Sequence, residues 1–264
     1  MRSLPALLVI AIACSHAAAC GDDDDNHSHD GGGSSGGAAP APTREVECTD
    51  QSVSQLVLFT APSPAQIKEE SKEGKTFHTF IDATGGVTGS RLDVTQSFVY
   101  AHFTDDGLKR VDIGDENAFT SLGWDIAFRR YLVRLNSGVS GPGEVTGART
   151  APNTEFASLD SVPEDLEYRT EEYFSPGECE FINDGSGLPG SPGTALSSYW
   201  TYSGCLKMSH NVYVVAVQYP KPRHVKLEVL SYYPPTKQAE CESSSRVSSP
   251  SEAGNIRIRW AFLD

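Results

Sequence analysis

The chain has 264 residues, a formal net charge of −14 and 38% hydrophobic residues. So acidic a surface repels phosphate backbones, which excludes nucleic acid as the main partner. The length suits one domain of upper ordinary size behind an appended segment, and no internal repeat or second long linker argues for more.

The chain opens with Arg2 and a mostly apolar run from Leu4 to Ala13, too short to span a bilayer and of the right length for a signal h-region. Ala17-Ala18-Ala19 then precede Cys20. Small residues before a cysteine at that position predict a lipoprotein signal over 1–19, with Cys20 acylated as the new first residue. Cys14 also follows a small residue but would leave a much shorter signal; plain secretory cleavage near Ala19 is the third reading. Residues 20–45 combine Asp22–Asp25 with a Gly/Ser/Ala/Pro run to Pro42 and have almost nothing apolar to bury. They read as a disordered tether, flexible through glycine and serine and stiffened by Pro40 and Pro42. His27 and His29 among these aspartates are a weak candidate pair for a divalent metal, and more simply solvated tail residues. No later stretch is long and apolar enough for a membrane helix, so a lipid on Cys20 is the expected attachment, in the cell envelope.

The remaining residues, 46–264, are expected to form one domain. Four of the six cysteines fall there: Cys48, Cys179, Cys205 and Cys241. An even number in an exported chain predicts two disulfides, for which three pairings exist. Cys179–Cys205 is the favoured pair because both flank the Gly/Ser/Pro-rich loop 183–194, leaving Cys48–Cys241. No CxxC spacing supports zinc or thiol redox chemistry.

In chain order, period-2 alternation and β-branched or aromatic enrichment predict strands over 53–60, 76–82, 97–104, 108–113, 124–136, 196–202, 211–219, 224–233 and 255–262. The one helix expected is 63–73, with Ser63 as N-cap and Pro64 at its first position. Within 255–262, Ile256, Ile258, Trp260 and Phe262 alternate with Arg257 and Arg259, a sheet with one wet face. Val212–Val217 is apolar on both faces, as a central strand would be. The fold class is therefore all-β, mainly antiparallel, with little helix.

The run GWDIAFRRYLVRLNSGVSGPG, 123–143, changes phase. Trp124, Ile126 and Phe128 share one alternation, and beyond Arg129-Arg130 it moves to Tyr131, Val133 and Leu135. A bulge near Arg129 would do this and would carry a long strand from one sheet into another. The glycine-rich end lacks the Lys-Ser/Thr and following helix of a phosphate loop. Its Gly138-Val139-Ser140-Gly141-Pro142 lacks the last glycine of a nucleophile elbow. A turn joining two strands remains. No Ser/His/Asp set or carboxylate pair rises above chance, so no enzyme is expected.

The same run resembles the signature of the HmuY-like haem-binding lipoprotein family, W-D-[IL]-A-F-x-R followed by R-x-N-[GS]-G. The matching residues are Trp124, Asp125, Ile126, Ala127, Phe128, Arg130, Arg134, Asn136, Ser137 and Gly138. TFIDATGG, FVYAHFTDDGLKRV, VYVVAV, HVKLEVLSYY and IRIRWAF extend the resemblance over roughly 75–262. It implies a mostly β domain on an outer-membrane tether, facing periplasm or medium. It also implies capture of haem or another tetrapyrrole and delivery to a transporter, a TonB-dependent one in the outer membrane.

The family's axial ligands are His or Met on loops after the W-D-I-A-F run, yet 150–207 contains no histidine. Candidates are therefore Met208 and His210, two apart and able to face one pocket if extended, with Tyr168 or Tyr173 as a partner from another loop, or one ligand alone. Each has a plainer reading: Met208 as core filler, His210 as a turn residue. His102 and His78 read as half-buried core residues and His224 as part of a polar face. Trp124 and Phe128 read as core, and Asp125, Arg130 and Arg134 as a buried ion network or, less directly, as propionate partners. The competing function is a tethered β domain for another ligand or a protein partner, without haem.

Overall fold

The computed structural model describes residues 46–88, 93–218 and 220–263. The signal, the tether, Cys20, His27 and His29 lie outside the described residues. Among the described residues no helix is long and apolar enough to cross a membrane.

The elements are α1 Thr49–Gln55, β1 Ile67–Glu73, β2 Thr76–Asp82, β3 Val99–Thr104, β4 Gly107–Val111, α2 Asp115–Ala118, β5 Ile126–Arg129, β6 Leu132–Leu135 and β7 Thr146–Arg149. A 3-10 turn, Phe156–Ser158, follows, then β8 Trp200–Tyr202, β9 Leu206–Met208, β10 Val212–Val217, β11 Arg223–Ser231, α3 Pro235–Ser244 and β12 Asn255–Leu263. Six strands form a sheet in the order β1-β2-β12-β11-β10-β7, four another in the order β4-β3-β5-β6, and β8-β9 a small hairpin. The strand pairings are antiparallel, as the all-β expectation has it.

The two larger sheets share one core. Val99, Ala101, Ile126, Phe128, Val133 and Leu135 from the smaller meet Tyr213, Val215, Leu227, Ile258 and Trp260 from the larger. Trp260 is central: Phe77 stacks on it at 4.5 Å, Phe103 meets it edge-on at 4.9 Å, and its Nε1 donates to Thr79 Oγ1 at 2.9 Å. The outer face of each sheet is also covered. Tyr100 and Ala127 of the smaller sheet, with Phe98 and Trp124 just before β3 and β5, are buried with Ala118 of α2. On the larger sheet, residues 150–169 run across as a strap. Phe156, Leu159, Val162 and Leu166 of the strap cover Val212, Val214, Ala261 and Leu263.

Several sequence expectations need correction. Residues 63–73 form no helix: Ile67–Glu73 pairs with β2 through a turn at Gly74, whose φ is +61°. Ser63 Oγ accepts from Ala65 N–H at 3.2 Å in extended chain instead. The charged side chains of β1 suit an exposed edge strand as well as a helix. Part of the strand expected over 53–60 is α1, and α3 had no strong periodicity to announce it. The phase change at Arg129 is a hairpin rather than a passage between sheets. Arg129 pairs with Leu132, and Arg130, at φ +54°, makes the turn. Reversing the chain brings Val133 and Leu135 back beside Phe128 and Ile126 on the same inner face. Trp124 lies before the strand and faces the outer cluster instead.

The disulfides are Cys48–Cys179 and Cys205–Cys241, not the pairs favoured from the sequence. Helix α3 explains the second: it buries Gln238 and Cys241 against β9, where Gln238 Nε2 donates to Leu206 O at 3.0 Å. Cys48, at the start of α1, docks into the cluster of Val139, Tyr173 and Phe174, which also holds Cys179.

Candidate functional site

The glycine-rich loop binds the protein's own backbone. Val139 N–H donates to Glu171 O at 3.0 Å. Gly138 sits at φ +53°, and a Cβ there would lie 2.1 Å from that same carbonyl oxygen. Asn136 closes the loop: Nδ2 donates to Ser121 O and Trp124 O, both at 2.9 Å, and Oδ1 accepts from Gly143 N–H at 3.0 Å. Trp124 is fully buried, with Nε1 donating to Ala118 O at 3.1 Å. Asp125 accepts from Phe103 N–H at 2.9 Å and stands 2.7 Å from His102 Nδ1. The signature residues thus brace the smaller sheet.

Of Asp125, Arg130 and Arg134, only Arg134 belongs to the buried ion cluster, which it shares with Arg129 and Asp115. Arg134 is wholly buried, with Nε donating to Ser140 Oγ at 2.8 Å and Nη2 to Ser140 O at 3.0 Å. Arg129 meets Asp115 at 3.4 Å and also donates to Leu56 O. Both guanidiniums lie against Phe98, at 4.2 and 4.6 Å from the ring centroid. Asp115 accepts from Phe98 N–H at 2.8 Å and Tyr100 Oη–H at 2.9 Å. Arg130 instead reaches Ala253 O at 2.9 Å.

Glu171 completes this interior, accepting from Leu135 N–H at 2.7 Å and Ala195 N–H at 3.1 Å. Burial pushes its carboxyl up to about 7, against the downward pull of those donors and of Arg134 and Arg169. The folded chain therefore holds a proton that the unfolded chain releases near the ordinary carboxylate range. This stabilisation is full below about pH 4.3 and is lost as pH rises through about 7. Glu171→Gln is expected to flatten that loss in urea unfolding across the same window; an unchanged pH slope would assign the titration elsewhere.

The exposed chemistry lies on the outer face of the larger sheet. Register aligns His78 with Arg259, Arg259 with Glu228 and Glu228 with Val212 in one row across four strands. Phe156 of the strap lies over this face, with Lys226 Nζ 4.6 Å and the Arg259 guanidinium 4.7 Å from its ring centroid. A cleft opens on each side of Phe156. One, of about 560 Å³, is lined by Ser209, His210, Asn211, Glu228 and Arg259. The other, of about 600 Å³, is lined by His78, Leu159, Lys226, Arg259, Ala261 and Phe262.

His210 is the sequence candidate that this face presents. Its imidazole is 61% exposed and its Nδ1 lies 3.0 Å from Glu228 Oε1. The other Glu228 oxygen accepts from Arg259 Nη2 at 2.6 Å and Nε at 2.8 Å. A carboxylate holding Nδ1–H leaves the Nε2 lone pair for a ligand, the arrangement found behind metal-binding histidines. The other candidates are not brought to it. Met208 is the last residue of β9 and sits in the main core, 7% exposed. Residues two apart share a side only while the chain stays extended, and His210 is at φ +53°, so the expected common pocket does not form. Tyr173 is fully buried in the cluster around Cys48–Cys179. Tyr168 lies at the end of the strap with its ring 6.1 Å from that of His224, and lines neither cleft. The sequence reading missed Glu228 and Arg259 as partners of His210, because strand register between β11 and β12 joins them.

A haem needs an exposed ligand beside a groove with apolar and cationic walls. His210, Phe156 and Arg259 fit one-sided attachment, whereas a site with Met208 or Tyr173 as the opposite ligand does not fit.

No curated protein matches the chain. Among solved structures it is similar to the apo HmuY analog (TFO) of Tannerella forsythia, at 16% identity and a TM-score of 0.38, over 74% of this chain and 100% of that one. The sequence model of the HmuY protein family matches residues 94–245, more than half of the chain and spanning the W-D-I-A-F run, the strap and β8 to β11. The chain belongs to the HmuY family.

Proposed function

We propose that this chain captures haem at the cell envelope, held to the membrane by a lipid on Cys20, and passes it to an outer-membrane transporter. The observation that carries the reading is family membership over 94–245. The His210–Glu228–Arg259 relay supports it with a ligand-ready imidazole. Binding, rather than catalysis, is the role: haem supplies the iron, and the chain supplies one nitrogen and a partly apolar cleft. His210 Nε2 is the proposed iron ligand, oriented by Glu228, with Arg259 fixing the carboxylate and Phe156 forming the wall.

Haemin titration read by Soret absorbance tests this. Wild type is expected to shift the band, and His210→Ala to abolish or move the shift. Met208→Ala should leave the spectrum alone while lowering stability by about 2–5 kcal/mol, as truncation of a core side chain does. An unaltered spectrum for His210→Ala would remove that ligand. No shift for wild type would leave a tethered β domain with another ligand or a protein partner.

The tether has its own test. Cys20→Ser is expected to move the protein from the membrane fraction to the soluble fraction after cell breakage. A variant that still sediments with membranes would argue against the lipid anchor.

A further inference from the structure

The second cleft carries a feature that haem capture does not use. Lys226 projects from the middle of β11 and is only 8% exposed. Its ammonium donates to two neutral acceptors of the strap, Phe156 O at 3.0 Å and Leu159 O at 2.8 Å. No carboxylate is hydrogen-bonded to it among the described residues. Asp160, exposed at the rim, acts on it only through space, and Arg259 opposes it. Glu228, two residues on along β11 and on the same face, is already taken by Arg259 and His210.

A buried cation without a bonded counter-ion is costly, and folded chains generally pair it. An ammonium has three N–H donors, and two are used here. The ammonium stands in the wall of a cleft of about 600 Å³ whose other walls include Phe156, Leu159, Ala261, Phe262 and Leu263. That volume is within the range of small-molecule sites, about 300–1,000 Å³. A carboxylate reaching the third N–H would make a charge-assisted hydrogen bond to the ammonium. Glu73 and Asp160 line the same cleft together with Lys75 and Arg259, the last already held by Glu228.

We propose that this cleft binds a monocarboxylate with an apolar body, of the fatty-acid or aryl-acid class, its carboxylate meeting Lys226 and its body lying against Phe156, Leu159 and Leu263. The site shares Phe156 and Arg259 with the proposed haem cleft but depends on Lys226, which haem capture does not use.

Calorimetric titration with octanoate, octan-1-ol and octylamine at neutral pH tests it. Octanoate is expected to bind, octanol about tenfold more weakly or worse, since it lacks a charge-assisted hydrogen bond. Octylamine should not bind. Lys226→Met keeps the stem and removes the charge; it should lower octanoate affinity by about tenfold or more and leave octanol unchanged. Should that variant not fold, the wild-type Lys226 Cε resonance gives the same answer, moving on addition of octanoate and not of octanol. Equal affinity for octanoate and octanol, no octanoate binding up to about 10 mM, or a Cε resonance that octanoate leaves unmoved would each overturn the proposal. Octanoate carries no iron, so failure here leaves haem capture standing, and loss of the Soret shift leaves this site standing.

Discussion

Replacing Arg134 with alanine is expected to lower the unfolding free energy by about 3–5 kcal/mol, the usual cost of breaking a buried charge cluster from one side. Arg134 is 0% exposed, so water cannot take over the hydrogen bonds it makes to Ser140. Its loss would also leave Arg129 as the remaining guanidinium on Phe98 and remove a positive charge that acts on both Asp115 and Glu171. The void beside Phe98 adds to the cost, because the surrounding aromatic cluster is packed against Trp124 at 4.8 Å from Tyr100. Urea unfolding of wild type and Arg134→Ala at neutral pH measures the difference. A loss under about 1 kcal/mol would mean that the cluster contributes no more than an exposed pair.

Removing Cys48–Cys179 is expected to cost about 5 kcal/mol in the chain-entropy account, and removing Cys205–Cys241 about 4 kcal/mol. The order follows from the loops closed, with sequence separations of 131 and 36. The first bridge is also the covalent tie between α1 and the segment carrying Tyr173 and Phe174, so its loss should free the start of the domain. Paired Cys→Ser variants, compared by denaturant midpoint under non-reducing conditions, measure both effects. Peptide mapping without reduction checks the connectivity itself: a peptide joining Cys179 to Cys205 would contradict the fold around α3.

What local chemistry can decide was legible along the chain. The alternation in 255–262 places Ile256, Ile258 and Trp260 in the core with Arg257 and Arg259 outside, and β12 does so. Thr76–Asp82 is a strand from end to end, and Val212–Val217 is buried on both faces because the strap covers the side away from the core. The W-D-I-A-F run, with the R-x-N-S-G segment and the ordered runs around it, carried the family resemblance, and the exclusion of a phosphate loop needed only the residues after Gly143.

What needed tertiary structure was every property set by residues far apart in sequence. Residues 63–73 contain no apolar period strong enough to choose between helix and strand; pairing with β2 made the choice. The cysteine partners depended on α3 packing against β9, a contact that no spacing announces. Met208 and His210 look like neighbours in the chain, yet the end of β9 and a left-handed residue send one to the core and the other to solvent. Register between β11 and β12 puts Arg259 opposite Glu228, and His210 meets that carboxylate from the approach to β10. Sequence determined which residues could be inside a sheet and which family they spell. Only folding, by fixing register and packing, put Asp125 behind His102 and Glu228 behind the exposed His210, and left Lys226 buried without a bonded carboxylate.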